Sequence, residues 1–528
     1  MDRTRLPEAT ADSTGGMVSS AHYLASQAGV WMLQQGGNAV DAAVCAATTI
    51  AVVAPHMNGP GGDLFAQVWS PEMARPIGLN ASGRSGSDMS IDVLRSRGHT
   101  MMPARGPLTI NVPGIVSGWR ELLERFGSRR LFDVLEPAVD YAEHGVPVTR
   151  RMAEALRGNA DLIHSDPGMA RVFTKSGKTL EEGSYFINRD LADSLREIGR
   201  TDGESYYRGE LARRMVSGIA QAGGVLTTGD FAQHQAEWVE PLDASLLERS
   251  IFELPPNTQG ITALELFNLV QESEALNFGH NSPEYISELV RCVRYAYEDR
   301  DTWISDPDFV DVPVSRLISR QYAKDRLAVP AGSPTSGADG DTIYLCVVDS
   351  AGMAVSLIQS HYMGFGSGVM ASGTGIHFHN RGSYFSLDET HVNRLEPRKR
   401  TMHTLIPGLA FDGQDLDLVF GTMGGDAQPQ IQLQVLLNHL HFGMGIQEAI
   451  EAARFSFVPA ADSPNRILVE SRIPEATLDK LHESGFDVIK VEEWSSFMGH
   501  AQAIRLDSAS GLLHGAADPR GDGAALGY

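Results

Sequence analysis

The sequence predicts a mixed α+β fold. Helical and strand patterns are interleaved along the 528 residues, and no segment of the chain repeats. Hydrophobic periodicity is lost once, at 330–340, and this break separates a helix-rich part from a part rich in strand patterns. The length would allow up to about three average domains, but large mixed folds often surround one core, so length alone leaves the number of domains open.

The first third of the chain contains the patterns of four helices and one strand. The predicted helices cover about Ser20–Gln35, Val40–Val53, Ser117–Phe126 and Leu131–Gly145, and the predicted strand covers Leu64–Trp69. The second helix includes the most apolar stretch, AAVCAATTIAVVA, which is shorter than the roughly twenty residues that a membrane-spanning helix needs. We therefore expect this helix to be buried in the protein, with no membrane as partner.

The rest of the chain changes from helical patterns to strand patterns. From about Met152 to Tyr322 the chain is helix-rich and charged, and it includes a long helical pattern at Pro283–Trp303. Residues 330–341 read as a flexible linker. Beyond it, TIYLCVVD and MAVSLIQS flank a turn at 350–352, which is typical of an antiparallel hairpin. Thr342 therefore begins a predicted core strand.

Charge and cysteine content restrict the partners and the compartment. The net charge is −23 without a block of like charges, so the chain would be repelled by nucleic acid and by anionic membranes. The three cysteines are far apart and odd in number, which favours a reducing compartment over a disulfide framework. The N-terminal residues lack the apolar segment of a secretory signal, so we expect a cytoplasmic protein.

Thr342 has two interpretations. An ordinary β-branched residue often begins a strand, and most strand threonines have no other role. Alternatively, cleavage of the Asp341–Thr342 bond would free an α-amine with a pKa of roughly 7.7 to 8.0, which suits it as the base for its own hydroxyl. One cut would then create nucleophile and base together.

Several motifs in this chain resemble, in the same order, those of the γ-glutamyltranspeptidase family. They are GGNAVDAAVCAATTIAVVAPHMNGPGGDLFA, NVPGIVSGW, YAYEDRDTWISDPDFVDVP, GTMGGDAQPQ and the ending GAADPRGDGAALGY. The resemblance implies an N-terminal nucleophile hydrolase fold, which is a four-layer αββα sandwich. It also implies a precursor that cleaves itself into a large subunit, residues 1–341, and a small subunit, residues 342–528, which together form one domain.

The resemblance assigns roles to four residues around the cut. Thr342 matches the threonine that becomes the N-terminus of the small subunit, and Ser360 matches a second hydroxyl that supports its amine; a solvated turn serine is the alternative for Ser360. Gly424 and Gly425 match the backbone donors of the oxyanion hole, a role that glycine suits because it lets backbone approach closely. A tight turn between a strand and a helix is the other reason for this glycine pair.

The family's substrate-binding residues are altered in this chain. The arginine that binds the γ-glutamyl carboxylate falls on or near Ala81, and a pair of serines becomes His403 and Thr404. The residues that bind the α-amino group align with Tyr362, Arg381 and Tyr384, so no carboxylate remains at these positions to pair with an ammonium. A γ-glutamyl group would therefore lack its usual counter-charge.

The donors that remain favour an anionic amide without an α-amino group. The candidate binding residues are Arg84, Arg381, His403, Thr404 and Tyr362; ordinary alternatives are surface ion pairs for the arginines and a core position for His403. The pattern is similar to the branch of the family that includes oxamate amidohydrolase, which splits oxamate into oxalate and ammonia in purine catabolism. An arginine suits the planar carboxylate of such a substrate.

Other functions remain open at this point. A γ-glutamyltransferase or glutathione hydrolase is the alternative activity, with a cephalosporin-type acylase as a variant, and an unprocessed binding protein is the non-enzymatic alternative. The processed heterodimer could also form higher oligomers. We expect no metal or cofactor, and interpret His377 and His379, with His361 and His391 nearby, as half-exposed strand histidines. The RGD triplet in DPRGDG is interpreted as structural, near the final strand.

Overall fold

The fold is described by a computed structural model that covers residues 11–332 and 340–528. Two seven-stranded antiparallel sheets pack face to face and are enclosed by helices on both outer sides. The predicted α+β fold with an αββα sandwich is confirmed. Both sheets contain strands from before and after Thr342, so the two sides of the predicted cut are interleaved in one core.

The first sheet carries Thr342 in its centre. Its strands, in spatial order, are Ala524–Gly527, Gly16–Ser20, Asp341–Asp349, Ala354–Tyr362, Asp63–Trp69, Ile77–Ala81 and Glu237–Val239. The predicted hairpin is formed by the third and fourth of these strands, and every residue of both except Asp341 is buried. Burial on both faces explains why their sequences are apolar with few polar interruptions.

The second sheet lies against the first and carries the glycine turn at the end of one strand. Its strands, in spatial order, are Ala11–Ser13, Leu512–Ala517, Ala501–Asp507, Asp415–Thr422, Gly408–Asp412, Arg249–Glu253 and Leu242–Leu246. Large apolar side chains fill the space between the sheets, among them Phe65, Tyr344 and Phe411. The two sheets thereby bring the end of strand Asp415–Thr422 close to Thr342.

Helices cover the outer face of each sheet. Those on the first sheet include Tyr23–Gln34, Ala39–Val53, Ile115–Phe126 and Glu136–His144. Those on the second include Gly260–Glu272, Pro283–Trp303, Gln428–Leu440 and Ile446–Glu451. The apolar helix Ala39–Val53 is buried along its whole length, as predicted. In the described part of the chain, no helix combines the length and apolarity needed to cross a membrane.

Shorter elements complete the chain. The other helices are Ile91–Ser96, Leu131–Val134, Arg150–Gly158, Ala160–Ser165, Pro167–Phe173, Arg189–Arg200, Glu204–Arg208, Glu210–Gln221, Thr228–Gln233, Val314–Leu317, Arg320–Leu327 and Glu475–Glu483. The remaining strands are Val146–Pro147, Thr174–Lys175, Lys178–Thr179, Tyr185–Phe186, Met370–Ala371, Ile376–His377, Phe455–Phe457, Arg466–Glu470 and Asp487–Val491.

The helix predicted at Leu131–Gly145 is divided in two at Leu135, and the second helix contains Pro137 in its first turn. Residues 333–339 of the predicted linker lie outside the described residues.

Candidate active site

The hairpin is irregular at Thr342. Asp341 pairs with Tyr362, but Ile343 pairs with Gln359, so Ser360 and His361 together oppose the single residue Thr342. Such a β-bulge redirects side chains and is frequent next to active sites. Here the bulge brings the Ser360 hydroxyl against Thr342.

Ser360 joins the Thr342 hydroxyl to the carbonyl of the predicted scissile bond. Thr342 Oγ1 donates a hydrogen bond to Ser360 Oγ at 3.0 Å, and Ser360 Oγ donates to the carbonyl oxygen of Asp341 at 2.7 Å. The backbone N–H of Tyr362 also donates to Ser360 Oγ, at 2.7 Å. Ser360 is 2% exposed, so the alternative of a solvated turn serine does not hold. Its hydroxyl can thus polarise the Asp341 carbonyl while it holds the Thr342 hydroxyl nearby.

The glycine turn approaches the same bond from the second sheet. Gly424 and Gly425 have φ values of +139° and +53°, and a Cβ at Gly424 would lie 2.7 Å from Ile431 Cδ1. Gly425 Cα is 3.0 Å from the position of a Cβ at Gly340, two residues before Thr342. Within residues 11–332 and 340–528, neither glycine N–H donates a hydrogen bond. Gly425 thus packs against the residue two positions before Thr342, and the free N–H groups of this turn are of the kind that an oxyanion hole requires.

Gln259 connects the glycine turn to the predicted substrate-binding residues His403 and Thr404. The sequence analysis did not identify Gln259 as part of the site. Its Nε2 donates to the carbonyl oxygens of Thr404, at 2.9 Å, and Gly425, at 3.0 Å. Its backbone N–H donates to the carbonyl oxygen of His403 at 2.8 Å. A lone glutamine in a loop gives no sequence signal for such a role.

Arg381, Thr404 and Tyr362 form a buried cluster beside Thr342, which we call the cationic cradle. Arg381 Nη1 donates to Thr404 Oγ1 at 3.1 Å, and the guanidinium lies 4.2 Å from the centre of the Tyr362 ring. Its Nη2 is buried and has no hydrogen-bond partner in the described part of the chain. Burial lowers the pKa of Arg381, but arginine remains charged at neutral pH. The cradle therefore presents a buried cation with a donor still to be satisfied.

His403 lies next to the cradle but is bound to an acid that the sequence analysis missed. His403 Nε2 contacts Asp63 Oδ2 at 3.2 Å, and Asp63 pairs in register with Ser360 on the neighbouring strand. Burial lowers the pKa of His403 to about 3, outweighing the opposite effect of Asp63. Burial alone would raise the pKa of Asp63, but His379 and the His403 hydrogen bond lower it to about 2. At neutral pH the pair is thus a neutral imidazole and a carboxylate.

Arg84 lies in a separate ion-pair cluster. Its guanidinium contacts Asp306 at 2.9 Å, Asp308 at 2.6 Å and Glu237 at 3.5 Å, and its side chain is 27% exposed. Three carboxylates already satisfy this cation, as in the ion-pair alternative considered from the sequence. The cationic cradle is therefore built on Arg381.

Acidic and aromatic residues form the wall behind the glycine turn. The Tyr384 hydroxyl donates to Asp426 Oδ1, and Arg300 Nη1 lies 3.7 Å from Asp426 Oδ2. The Tyr384 ring centre is 5.3 Å from that of Tyr362. Burial raises the pKa of Asp426, and Arg300 opposes this shift. Asp426 follows Gly425 directly, so this wall is in contact with the glycine turn.

The expectation of half-exposed strand histidines is wrong. His361, His377 and His379 are at most 4% exposed, although His361 lies in the strand Ala354–Tyr362 and His377 in the two-residue strand Ile376–His377. His377 Nε2 binds the Pro55 carbonyl oxygen at 2.9 Å, and burial lowers its pKa to about 4. Contacts with distant segments bury these rings, which local spacing could not indicate. No group of three or more possible metal ligands occurs in residues 11–332 and 340–528.

Two residues of the DPRGDG segment, Asp518 and Arg520, are buried, as a structural role predicts. Arg520 binds Glu470 at 2.7 Å and Asp518 at 3.0 Å, and all three side chains are inaccessible. Because Arg520 is buried, a partner protein could not bind the RGD triplet through its arginine. This buried network fixes the chain just before the last strand, Ala524–Gly527.

Comparisons with known proteins agree with the geometry. The γ-glutamyltranspeptidase family model matches residues 25–528. The chain is 42% identical to the glutathione hydrolase-like YwrD proenzyme of Bacillus subtilis, covering 97% of this chain and 98% of the relative. It is 37% identical to the oxamate amidohydrolase proenzyme of Klebsiella pneumoniae, covering 98% and 99%.

A solved structure shows the same fold over the whole chain. The cephalosporin acylase of Bacillus halodurans superposes with a TM-score of 0.91 at 34% sequence identity, covering 100% of this chain and 99% of the acylase. The matched family model and relatives of this coverage settle membership. The chain belongs to the γ-glutamyltranspeptidase family and is an amidohydrolase proenzyme of the N-terminal nucleophile type.

Proposed function

We propose that this protein cleaves itself between Asp341 and Thr342 and then hydrolyses a small anionic amide, with oxamate as the leading candidate. The observation that carries the proposal is the pair of hydrogen bonds from Thr342 Oγ1 to Ser360 Oγ and from Ser360 Oγ to the Asp341 carbonyl oxygen. Residues up to 341 would form the large subunit, and residues from 342 the small subunit.

Self-cleavage begins at the buried threonine hydroxyl. Thr342 Oγ1 attacks the carbonyl carbon of Asp341, the C–N bond breaks, and the threonine nitrogen takes a proton to become an α-amine. The Ser360 hydroxyl stabilises the negative charge that develops on the carbonyl oxygen, because it already donates to that atom at 2.7 Å. Water then hydrolyses the ester between Asp341 and Thr342, which leaves a carboxylate and a free hydroxyl.

Substrate hydrolysis repeats this chemistry with the free N-terminus. The α-amine of Thr342 accepts the proton of its own hydroxyl as the oxygen attacks the substrate amide, and it returns the proton to the departing amine. The Gly424 and Gly425 amides, which donate no hydrogen bond among the described residues, would hold the oxyanion. Water finally releases the acid from the acyl-enzyme, so one water is consumed for each amide bond broken.

The cationic cradle supports an anionic acyl group. Arg381 Nη2 is buried without a hydrogen-bond partner in the part of the chain that the structure describes, and Thr404 Oγ1 and the Tyr362 ring hold the guanidinium in place. A carboxylate bonded to the scissile carbonyl would satisfy that donor with a charge-assisted hydrogen bond. Oxamate combines a carboxylate and an amide in this way, and the 37% identity with the Klebsiella pneumoniae oxamate amidohydrolase proenzyme is consistent with it.

Glutathione hydrolysis is the second candidate. The 42% identity with the glutathione hydrolase-like YwrD proenzyme favours it. The cradle argues against it, because a γ-glutamyl α-ammonium beside Arg381 would meet a cation. Asp426 could compensate, but Tyr384 and Arg300 already contact its carboxylate.

Parallel assays of the processed enzyme decide between these substrates. We expect ammonia release from oxamate and no glutamate release from glutathione, with the Thr342→Ala variant inactive on both. Glutamate release without ammonia release would overturn the proposal in favour of glutathione. Self-cleavage followed by no reaction with either substrate would reject both assignments.

A further inference from the structure

A cavity that opens to solvent lies behind the wall formed by Tyr384, Arg300 and Asp426. It has a volume of about 520 Å³ and is bordered by residues 100–102, the helix end at 300–304, residues 383–393 and Met402. We call it the outer cavity. Oxamate has six non-hydrogen atoms, so a space of this size could hold a much larger group than oxamate.

The outer cavity is adjacent to the catalytic residues through the Tyr384 side chain. Tyr384 lines the cavity, and its hydroxyl donates to Asp426, the residue after Gly425. On its other side, the Tyr384 ring meets the Tyr362 ring of the cationic cradle at 5.3 Å. The Tyr384 side chain is thus shared by the cationic cradle and the outer cavity, and it separates the two.

The lining of the outer cavity combines apolar side chains with one buried hydroxyl. The apolar side chains are Met101, Met102, Ile304, Phe385, Leu387 and Met402. Methionine side chains adapt to irregular apolar ligands. Ser383 Oγ is buried and has no hydrogen-bond partner in the described residues, whereas Arg300 Nη1 lies 3.7 Å from Asp426 Oδ2. The cavity therefore suits an apolar group that carries a hydrogen-bond acceptor for the Ser383 hydroxyl.

We propose that the outer cavity binds the nitrogen substituent of an N-substituted amide. This inference rests on the proposed function, because the small anionic acyl group then occupies the cationic cradle and only the amine half can reach past Tyr384. The favoured substrates are N-alkyl oxamates whose alkyl chain ends in an acceptor oxygen. Their hydrolysis adds one water across the C–N bond and gives oxalate and a primary amine in place of ammonia.

Three substrates test the size and polarity of this site on the processed enzyme: oxamate, N-butyl oxamate and N-methoxyethyl oxamate. The last two have the same number of heavy atoms and differ in one ether oxygen. We expect KM to fall about tenfold or more from oxamate to N-butyl oxamate, since each buried methylene is worth about tenfold or more in a fitted pocket. The ether should lower KM further. An enzyme that hydrolyses oxamate but binds N-butyl oxamate no better would overturn the inference and leave the proposed function intact.

Filling the cavity provides the matched test in the protein. Ser386, a half-buried lining residue, is replaced by tryptophan, and Ser217, exposed on the helix Glu210–Gln221, receives the same change as a control. S386W should reduce the preference for N-butyl oxamate over oxamate at least about tenfold, whereas S217W should not change it. If S386W does not fold, Met102→Ala serves as the test instead. It removes an apolar contact without adding bulk and should lower the same preference. An unchanged preference in folded S386W or M102A would refute the site.

Binding is measured separately from turnover. N-butyl oxamate should raise the Tm of the processed enzyme, and S386W should abolish the increase. If neither oxamate nor N-butyl oxamate is hydrolysed but this pattern of binding is found, the proposed function is refuted while the binding site in the outer cavity is supported. If N-butyl oxamate does not change the Tm of the wild-type protein, the cavity is not its site.

Discussion

Replacing Ser360 by alanine should slow self-cleavage sharply while the protein still folds. The change removes the donor to the Asp341 carbonyl oxygen and the acceptor of the Thr342 hydroxyl, at 2.7 and 3.0 Å. Loss of one preorganised donor to a developing oxyanion costs about 2.7–4 kcal/mol, or roughly 10²- to 10³-fold in rate. The Tyr362 N–H also loses its acceptor, which would destabilise the fold by about 1–3 kcal/mol.

Ser356→Ala is the matched control for this prediction. Ser356 is a fully buried serine of the same strand, and its hydroxyl is hydrogen-bonded to the Tyr344 hydroxyl at 2.8 Å, away from the scissile bond. Both variants thus lose a buried hydroxyl, but only Ser360→Ala loses contact with the Asp341–Thr342 bond. The assay follows the uncut chain on a denaturing gel at fixed times after cell-free synthesis. Equal cleavage rates for the two variants would refute the role assigned to Ser360.

Two further predictions concern the binding site and the stability. Arg381→Met should raise KM for oxamate about ten- to a hundredfold, because a charge-assisted hydrogen bond contributes about 1.5–3 kcal/mol. Arg84→Met is the control and should change KM less than about threefold, because carboxylates already bind the Arg84 guanidinium. A larger effect of Arg84→Met than of Arg381→Met would contradict the role assigned to the cationic cradle. Burial lowers the pKa of His403 to about 3 and of His56 to about 4, so the unfolded chain takes up more protons as pH falls below about 6.5. Stability should therefore be full above pH 6.5 and be lost towards pH 4, by about 3 kcal/mol for each such histidine. Urea midpoints at pH 7.5, 6 and 5 measure this, and midpoints that stay constant would show that the histidines titrate normally.

The hairpin around Thr342 could be predicted because its signals are local. Apolar runs of strand length on either side of a turn at 350–352 identify the two strands, and the observed strands are Asp341–Asp349 and Ala354–Tyr362. The long helix Pro283–Trp303 coincides with the helical pattern in the sequence, and in the structure Ser282 caps it and Pro283 occupies its first position. Local capping and periodicity are sufficient for such elements.

The rest of the site depends on contacts between distant segments. Gln259 reaches the Thr404 and Gly425 carbonyls across more than a hundred residues of sequence, and Asp63 meets His403 in the same way. The bulge opposite Thr342 arises from the register of two strands, which the sequence of neither strand reveals alone. The sequence does not distinguish Arg84 from Arg381 as a binding residue. Only the fold shows that carboxylates already pair with the Arg84 guanidinium.

The identity of the first residue of the small subunit is the most direct test of the cut at Thr342. Purified wild-type protein is separated on a denaturing gel, and each band is analysed by intact mass and N-terminal sequencing. We predict two chains, one ending at Asp341 and one beginning Thr342-Ile343-Tyr344, and a single chain for Thr342→Ala. An active wild-type enzyme that remains one chain, or is cut at another bond, would contradict the mechanism.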